Sequence, residues 1–279
     1  MKLATVEQMR EMDRRASEEC GIAEMILMEN AAHAALKVLE NQIGALRGRK
    51  ILVFCGAGNN GGDGLALARL IHSQGASVKV FLTASPKKYT QAAKTNYEIV
   101  CNLSLDVQLL SRAAEARQDI LHADAVVDAI FGTGLARDVK GLAAEVIEGI
   151  NASGRPVLSL DIPSGICGNS GRVMQTAVRA DRTVTFGLPK LGNLLYPGYE
   201  RGGTLFVSHI SFPPELTDDE SLTVATNGRI ALPPRRAEAY KGSVGDVLFV
   251  AGSGNYFGAP YFAAMAHLKS GGGYARLAA

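Results

Sequence analysis

Several absences narrow what this sequence can encode. Its four cysteines, Cys20, Cys55, Cys101 and Cys167, include no C-x-x-C pair, so reduced structural thiols are expected rather than a disulfide frame or a zinc site. No apolar run approaches the ~20 residues of a membrane helix. The N-terminus, MKLATVEQMREMDRR, is charged throughout and lacks a secretory core; a cytoplasmic protein is expected. Charge of either sign is not in excess: 29 Lys and Arg against 27 Asp and Glu leave +2, too balanced to point to nucleic acid or an anionic membrane. His33 and His72 sit inside helical patterns and read as structural or solvated. No Ser–His–Asp order has a plausible context, and no second carboxylate is spaced for a glycosidase. With 47% hydrophobic and 20% charged residues, the chain has the material for a real core. Its 279 residues suit one large domain, or one domain plus part of another.

What is present centres on residues 50–64, KILVFCGAGNNGGDG. Six mostly apolar residues read as a buried strand, five glycines with two asparagines and one aspartate follow, and LALARLI restarts with helical spacing. The first turn of such a helix leaves backbone N–H groups unpaired, and glycines let an anionic ligand approach them. The loop therefore reads as a nucleotide- or phosphate-binding site.

Upstream, Thr5-Val-Glu-Gln8 forms a capping-box pattern that predicts a helix to about Glu19. A second helix is expected over 23–42, with Met25, Met28, Ala32, Leu36 and Leu39 toward a core. Downstream the chain alternates: strand 78–83, helix 89–101, strand 124–130, helix 142–150, strand 156–161, then strands 182–186 and 204–209. That order predicts an α/β fold with a doubly wound, mostly parallel sheet, a Rossmann-like three-layer sandwich. Its ligands should lie beyond the carboxyl ends of the strands. Three strand ends should share that edge: GAGNNGGDG, Asp128-Ala-Ile-Phe-Gly132-Thr-Gly134, and Asp161-Ile-Pro-Ser164-Gly165. Residues 212–234, rich in proline and charge, read as a linker. Residues 241–279 start a new strand, glycine loop, helix and strand, so a first domain over 1–225 and a fragment of a second over 226–279 are expected.

Gly56-Ala-Gly58-Asn-Asn-Gly61 matches G-x-G-x-x-G, the dinucleotide fingerprint. A dehydrogenase also needs an acidic residue about 20 residues on for the ribose, yet residues 64–96 contain no Asp or Glu. No Gly-Lys-Ser/Thr completes a P-loop either. The loop is distinguished instead by Asn59, Asn60 and Asp63. Asn60, Asp128 and Ser164 could together offer an all-oxygen shell to a hard cation, although each also suits a turn or helix cap. Asp161, ending an apolar strand before Pro163, is the candidate acid or base; capping the following turn would explain it as well. The Lys190-Leu-Gly192 and Tyr196-Pro-Gly198 turns could line the same mouth or be simple turns.

GAGNNGGDG, VVDAIFGTGL, SLDIPSGI and TVTFGLPKLGNLLYPG, in that order, resemble the NAD(P)HX epimerases over about residues 5–212, the LMENA stretch from Leu27 included. The resemblance implies interconversion of the R and S forms of hydrated NADH and NADPH, whose S form a dehydratase restores. It implies substrate binding by Asn59, Asn60, Gly61, Gly62 and Asp63 and by Gly132, Thr133, Gly134, Leu135, Ala136, Arg137 and Asp138. Asp161 would lie beside the reacting ring, and potassium would be held by Asn60, Asp128 and Ser164. The missing ribose acid fits a nucleotide that is substrate rather than hydride carrier. The tail from Tyr240 resembles the opening of the ribokinase-like NAD(P)HX dehydratase. ADP or ATP with Mg2+ is expected only where that domain is complete. A homo-oligomer is expected, with no nucleic-acid or membrane partner. The alternative is a protein-binding module, as in the apolipoprotein A-I-binding and RNA-decapping relatives of this fold; such a module would be expected to lose the Asn, Asp and Ser set.

Overall fold

The computed structural model describes residues 1–228, 234 and 236–278, and the chain divides into two units, Met1–Asn227 and Gly228–Ala279. The first unit opens with α1 (Val6–Glu18), closed at its start by the expected capping box. Thr5 Oγ1 accepts from the Gln8 amide at 3.1 Å, and the Gln8 side chain accepts from the Thr5 amide at 2.9 Å. In α2 (Glu24–Ile43) the buried stripe includes Leu27, Met28, Ala32, Leu36 and Leu39. The alternating part follows as β1 (Lys50–Cys55), α3 (Asn59–Ser73), β2 (Ser77–Leu82), α4 (Gln91–Asn102), β3 (Asp106–Leu109), α5 (Arg117–Leu121), β4 (Ala125–Ala129), α6 (Leu142–Ala152), β5 (Val157–Leu160) and β6 (Arg182–Phe186). Single-turn helices α7 (Leu191–Leu194) and α8 (Gly198–Arg201) lead into β7 (Thr204–Ser208), and α9 (Pro214–Thr217) comes after it.

The seven strands form one sheet in the order β3-β2-β1-β4-β5-β6-β7, with every neighbouring pair parallel. The central strands β1, β4 and β5 are buried along almost their whole length because both faces are covered. Val53, Cys55 and Val127 join one core with α2 and α3, whereas Leu52, Phe54 and Val126 join another with Ile147 and Ile150 of α6. The chain winds outward from β1 in one direction through β2 and β3, and in the other from β4 to β7. β1 and β4 are therefore neighbours at the point where the order reverses, and the crevice beyond their carboxyl ends is where a sheet of this kind takes a ligand.

Two expectations need correction. The sequence suggested no strand between residues 101 and 124, yet β3 and α5 lie there. Asp-Val-Gln-Leu is a short edge strand with Asp106 and Leu109 exposed, so it carries no apolar run to betray it. Residues 212–227, expected to begin a linker, pack on the first unit instead. Phe212, Leu216 and Leu222 are buried, Arg15 of α1 pairs with Asp219 at 2.7 Å, and Ala225 bridges Lys2. Within the rest of that stretch, residues 229–233 lie outside the described residues.

The second unit has the expected strand–helix–strand order: β8 (Asp246–Val250), α10 (Gly258–Lys269) and β9 (Tyr274–Ala278), its two strands paired in parallel. Leu248, Val250, Phe262 and Leu277 are exposed.

Candidate active site

The loop after β1 docks against the loop after β4 with no room for side chains. A Cβ on Gly56 would fall 1.9 Å from the Ile130 carbonyl oxygen, and one on Gly61 2.1 Å from the Gly56 oxygen. This close approach, more than any need for unusual dihedrals, explains those glycines. α3 starts at Asn59 without a side-chain cap on its first turn, so N–H groups there stay open to a ligand.

A cavity of about 610 Å3 opens at this edge, within the size range of small-molecule sites. Asn59, Asn60, Asp63, Gly132, Thr133, Gly134, Leu135 and Asp161 line it. Gly61 and Gly62 do not. They turn into the protein, where a Cβ on Gly62 would meet Met28 and Ala93. Arg137 and Asp138 border a smaller hollow of about 520 Å3 together with Phe131 and Leu135; Ala136 lines neither. The Asn59 side chain is committed elsewhere, donating to Glu24 Oε1 at 2.7 Å and accepting from Thr90 at 3.0 Å. Its backbone is what remains for a ligand.

Asp161 sits one residue past β5 with φ +66°, the left-handed region, which aspartate tolerates better than most residues. It is 9% exposed. Its amide donates to the Val184 carbonyl at 2.7 Å, and its own carbonyl accepts from Asn193 Nδ2 at 3.2 Å. Oδ1 is paired with the Lys190 ammonium, while Oδ2 faces the chain at Gly132, 3.1 Å from where a Cβ would stand. Asn60 approaches the same point, its Cβ and Cγ 3.2 and 3.3 Å from it. The three loops thus bring Asn60, Gly132 and Asp161 together.

Asp128 lies beneath them and is wholly buried. Its carboxylate accepts from Ser159 Oγ at 2.7 Å, from the Ser164 amide at 2.9 Å, from Ser164 Oγ at 2.5 Å and from the Ile130 amide at 3.3 Å. All four donors are neutral, and no ion pair reaches Asp128 among the described residues. Burial raises this carboxyl, against the hydrogen bonds from Ser164, Ser159 and Ile130 that lower it. Both polar atoms of the Asn60 side chain are buried with no protein partner.

Local sequence gave no sign of the remaining walls. Met9, Arg10, Asp13, Arg14 and Ser17 of α1, and Glu24, Leu27, Met28 and Ala31 of α2, close one side. Asp13 is exposed as a whole residue. Its carboxyl is nevertheless pushed up to about 6, by desolvation first and then by Asp161 and Glu24, with Lys190 opposing. Desolvation also lifts the Asp63 carboxyl well above the ordinary range, with Asp161 and Asp13 adding to it.

Residues 24–192 match the family model described as YjeF-related protein N-terminus. The chain belongs to that family. It is 50% identical over 280 residues to the bifunctional NAD(P)H-hydrate repair enzyme Nnr of Thermofilum pendens, matching 100% of this chain and 53% of that protein. The Moorella thermoacetica enzyme of the same name is 42% identical, over 98% of this chain and 53% of its own length. An NAD(P)H-hydrate epimerase of Levilactobacillus brevis is 37% identical, over 75% of this chain and 94% of its own. The chain spans about half the length of the bifunctional relatives it matches. The crystal structure of yeast ynu0 superposes with TM-score 0.69 at 20% identity, covering 83% of this chain and 97% of that one, and shows the same fold. The YjeF-related segment includes every residue described at the three loops and Lys190. The α1 wall stands ahead of it.

Proposed function

We propose that the first unit is an epimerase of hydrated NADH and NADPH. The observation that carries this reading is the meeting of Asn60, Gly132 and Asp161 in a cavity at the switch point of the sheet, in a chain related to a named NAD(P)H-hydrate epimerase. The open N–H groups of α3 would receive the pyrophosphate, and the hydrated nicotinamide ring would lie over Gly132 beside Asp161.

Inversion breaks the C–O bond of the hydrated carbon. The electron pair leaves with oxygen, which takes up a proton and departs as water, and the ring nitrogen's lone pair forms the C=N+ bond. Water then adds to the opposite face and loses a proton, so nothing is consumed. Asp161 would hold or pass that proton through Oδ2 and face the ring cation; positioned proton transfer of this kind contributes about 10²–10⁴-fold. The donor set of Asn60, Asp128 and Ser164 fits a potassium ion. The orphaned Asn60 amide and a buried Asp128 charge with only neutral partners are what a hard cation would complete. Bound there, potassium would balance Asp128 and order the loops.

The second unit we read as the opening of a ribokinase-like dehydratase domain, supported by its strand–helix–strand order and by the length of the bifunctional relatives. ADP or ATP with Mg2+ would enter only with a complete domain. No described helix is long and apolar enough to cross a membrane.

Incubation with enriched (R)-NADHX, with and without potassium, and chromatographic separation of the epimers tests the reading. Equilibration well above the spontaneous rate supports it. Bound ligand without acceleration indicates a binding module, and no binding refutes the substrate.

A further inference from the structure

Lys190 is a lysine buried almost completely, at 2% exposure, beside the reacting position. A protonated lysine has three N–H donors, and each has a protein acceptor here. Nζ donates to Asp161 Oδ1, to Thr185 Oγ1 at 3.0 Å and to the Phe186 carbonyl at 2.9 Å. No donor remains for a substrate, so the hydrogen bond by which Lys190 reaches the reacting position is the one to Asp161.

The turn that carries it is built for that purpose. Asn193 Oδ1 accepts from the Lys190 amide at 2.8 Å, while Asn193 Nδ2 reaches the Asp161 carbonyl at 3.2 Å. One asparagine thereby fixes the lysine's backbone and the aspartate's backbone together. Lys190 fixes the aspartate's side chain, taking Oδ1 and leaving Oδ2 toward Gly132. Without the ammonium, the Asp161 carboxylate would share its cavity with Asp63, Asp13 and Glu24. Among the described residues, the other lysine and arginine side chains on the cavity wall are Arg10 and Arg14, and Arg14 is tied to Glu11, Glu18 and Glu19.

We propose that Lys190, seated by Thr185, the Phe186 carbonyl and Asn193, is the positioning residue that aims the Asp161 carboxylate at the substrate ring. This rests on the epimerase reading. The proposal concerns orientation, so it is a rate effect that vanishes when Asp161 has no carboxylate to aim.

The test compares wild type, K190M, D161N and D161N/K190M in the epimer-resolved assay, with thermal melting to establish that each is folded. We expect K190M to lower kcat about 100-fold, the loss typical of a reacting group displaced by about 1 Å, with KM within about threefold. D161N/K190M should be no slower than D161N. Partial recovery of K190A by millimolar propylammonium, which can occupy the emptied slot, would add support. K190M with wild-type kcat overturns the proposal, and so does a double variant slower than D161N by the full K190M factor. Should K190M not fold, T185V, which removes one of the ammonium's acceptors, must lower kcat without raising KM; unchanged kcat overturns the proposal. Wild type that fails to interconvert the epimers removes the epimerase reading and Lys190's role with it, whereas an active K190M removes the role alone.

Discussion

Replacing Gly132 by alanine asks whether the meeting of the three loops is where the chemistry happens. Gly132 does not have a positive φ, so the backbone accepts alanine, and the loss of chain freedom in the unfolded state favours it by ~0.4–1 kcal/mol. The new methyl group, however, would stand 3.1 Å from Asp161 Oδ2 and 3.2 and 3.3 Å from Asn60 Cβ and Cγ. Both side chains must yield by a few tenths of an ångström. The two effects on stability oppose each other, so melting should move by no more than ~2–4 °C. Catalysis has no such compensation. A misplacement of 1 Å costs roughly 100-fold, and the smaller displacement here should lower kcat about 3- to 10-fold. Gly149 of α6 is the control: it does not line the cavity, also lacks a positive φ, and a methyl group there meets Ile120 Cδ1 at an ordinary 3.9 Å. Gly149→Ala should keep wild-type kcat. Equal kcat for Gly132→Ala and wild type, or an equal fall for both variants, would refute the placement of the reacting ring.

Three further outcomes are expected. Asp13 has its carboxyl raised to about 6 from an ordinary 3.8, so the folded state holds this proton more tightly and stability falls as pH rises between those values. Asp13→Asn should therefore melt higher than wild type at pH 7, with the gain fading toward pH 4; a pH-independent difference would exclude Asp13 as its source. Thr5→Ala removes the side-chain half of the α1 capping box and should cost ~1 kcal/mol, seen as a melting shift of ~2–4 °C. Potassium should raise the melting temperature of wild type above that in sodium, and Asn60→Ala should abolish the difference; an equal potassium effect in both would remove Asn60 from the cation site.

The sheet was legible because its central strands are buried on both faces and so appear as mostly apolar runs, interrupted only by Asp128 in β4 and Ser159 in β5. β3 was not, because an edge strand half open to water is polar in the same proportion as a loop. At the site, Asp161 stood out as a carboxylate closing an apolar strand before a proline. Lys190, 29 residues further on, stood out only as part of a turn that could line the same mouth or be a simple turn. Within Leu-Pro-Lys-Leu-Gly a lysine reads as part of a surface turn, and nothing nearby says that its ammonium is buried. That information lies in where β5 and β6 are placed side by side. Arg10 and Asp13 were hidden for a similar reason: the charged face of an amphipathic helix reads as solvated until tertiary packing brings it to a cavity.

The left-handed backbone at Asp161 also limits what descendants of this protein can become. Larger or branched side chains are strained at that dihedral, so aspartate, asparagine and glycine are among the residues that fit there at least cost. A lineage that abandoned the reaction would pass most easily through Asp161→Asn or Asp161→Gly, keeping the glycine contacts and the shape of the cavity. Its members would be silent copies, alike in outline and still able to hold a nucleotide. Position 161 would then separate the working proteins from their mimics more sharply than overall similarity does.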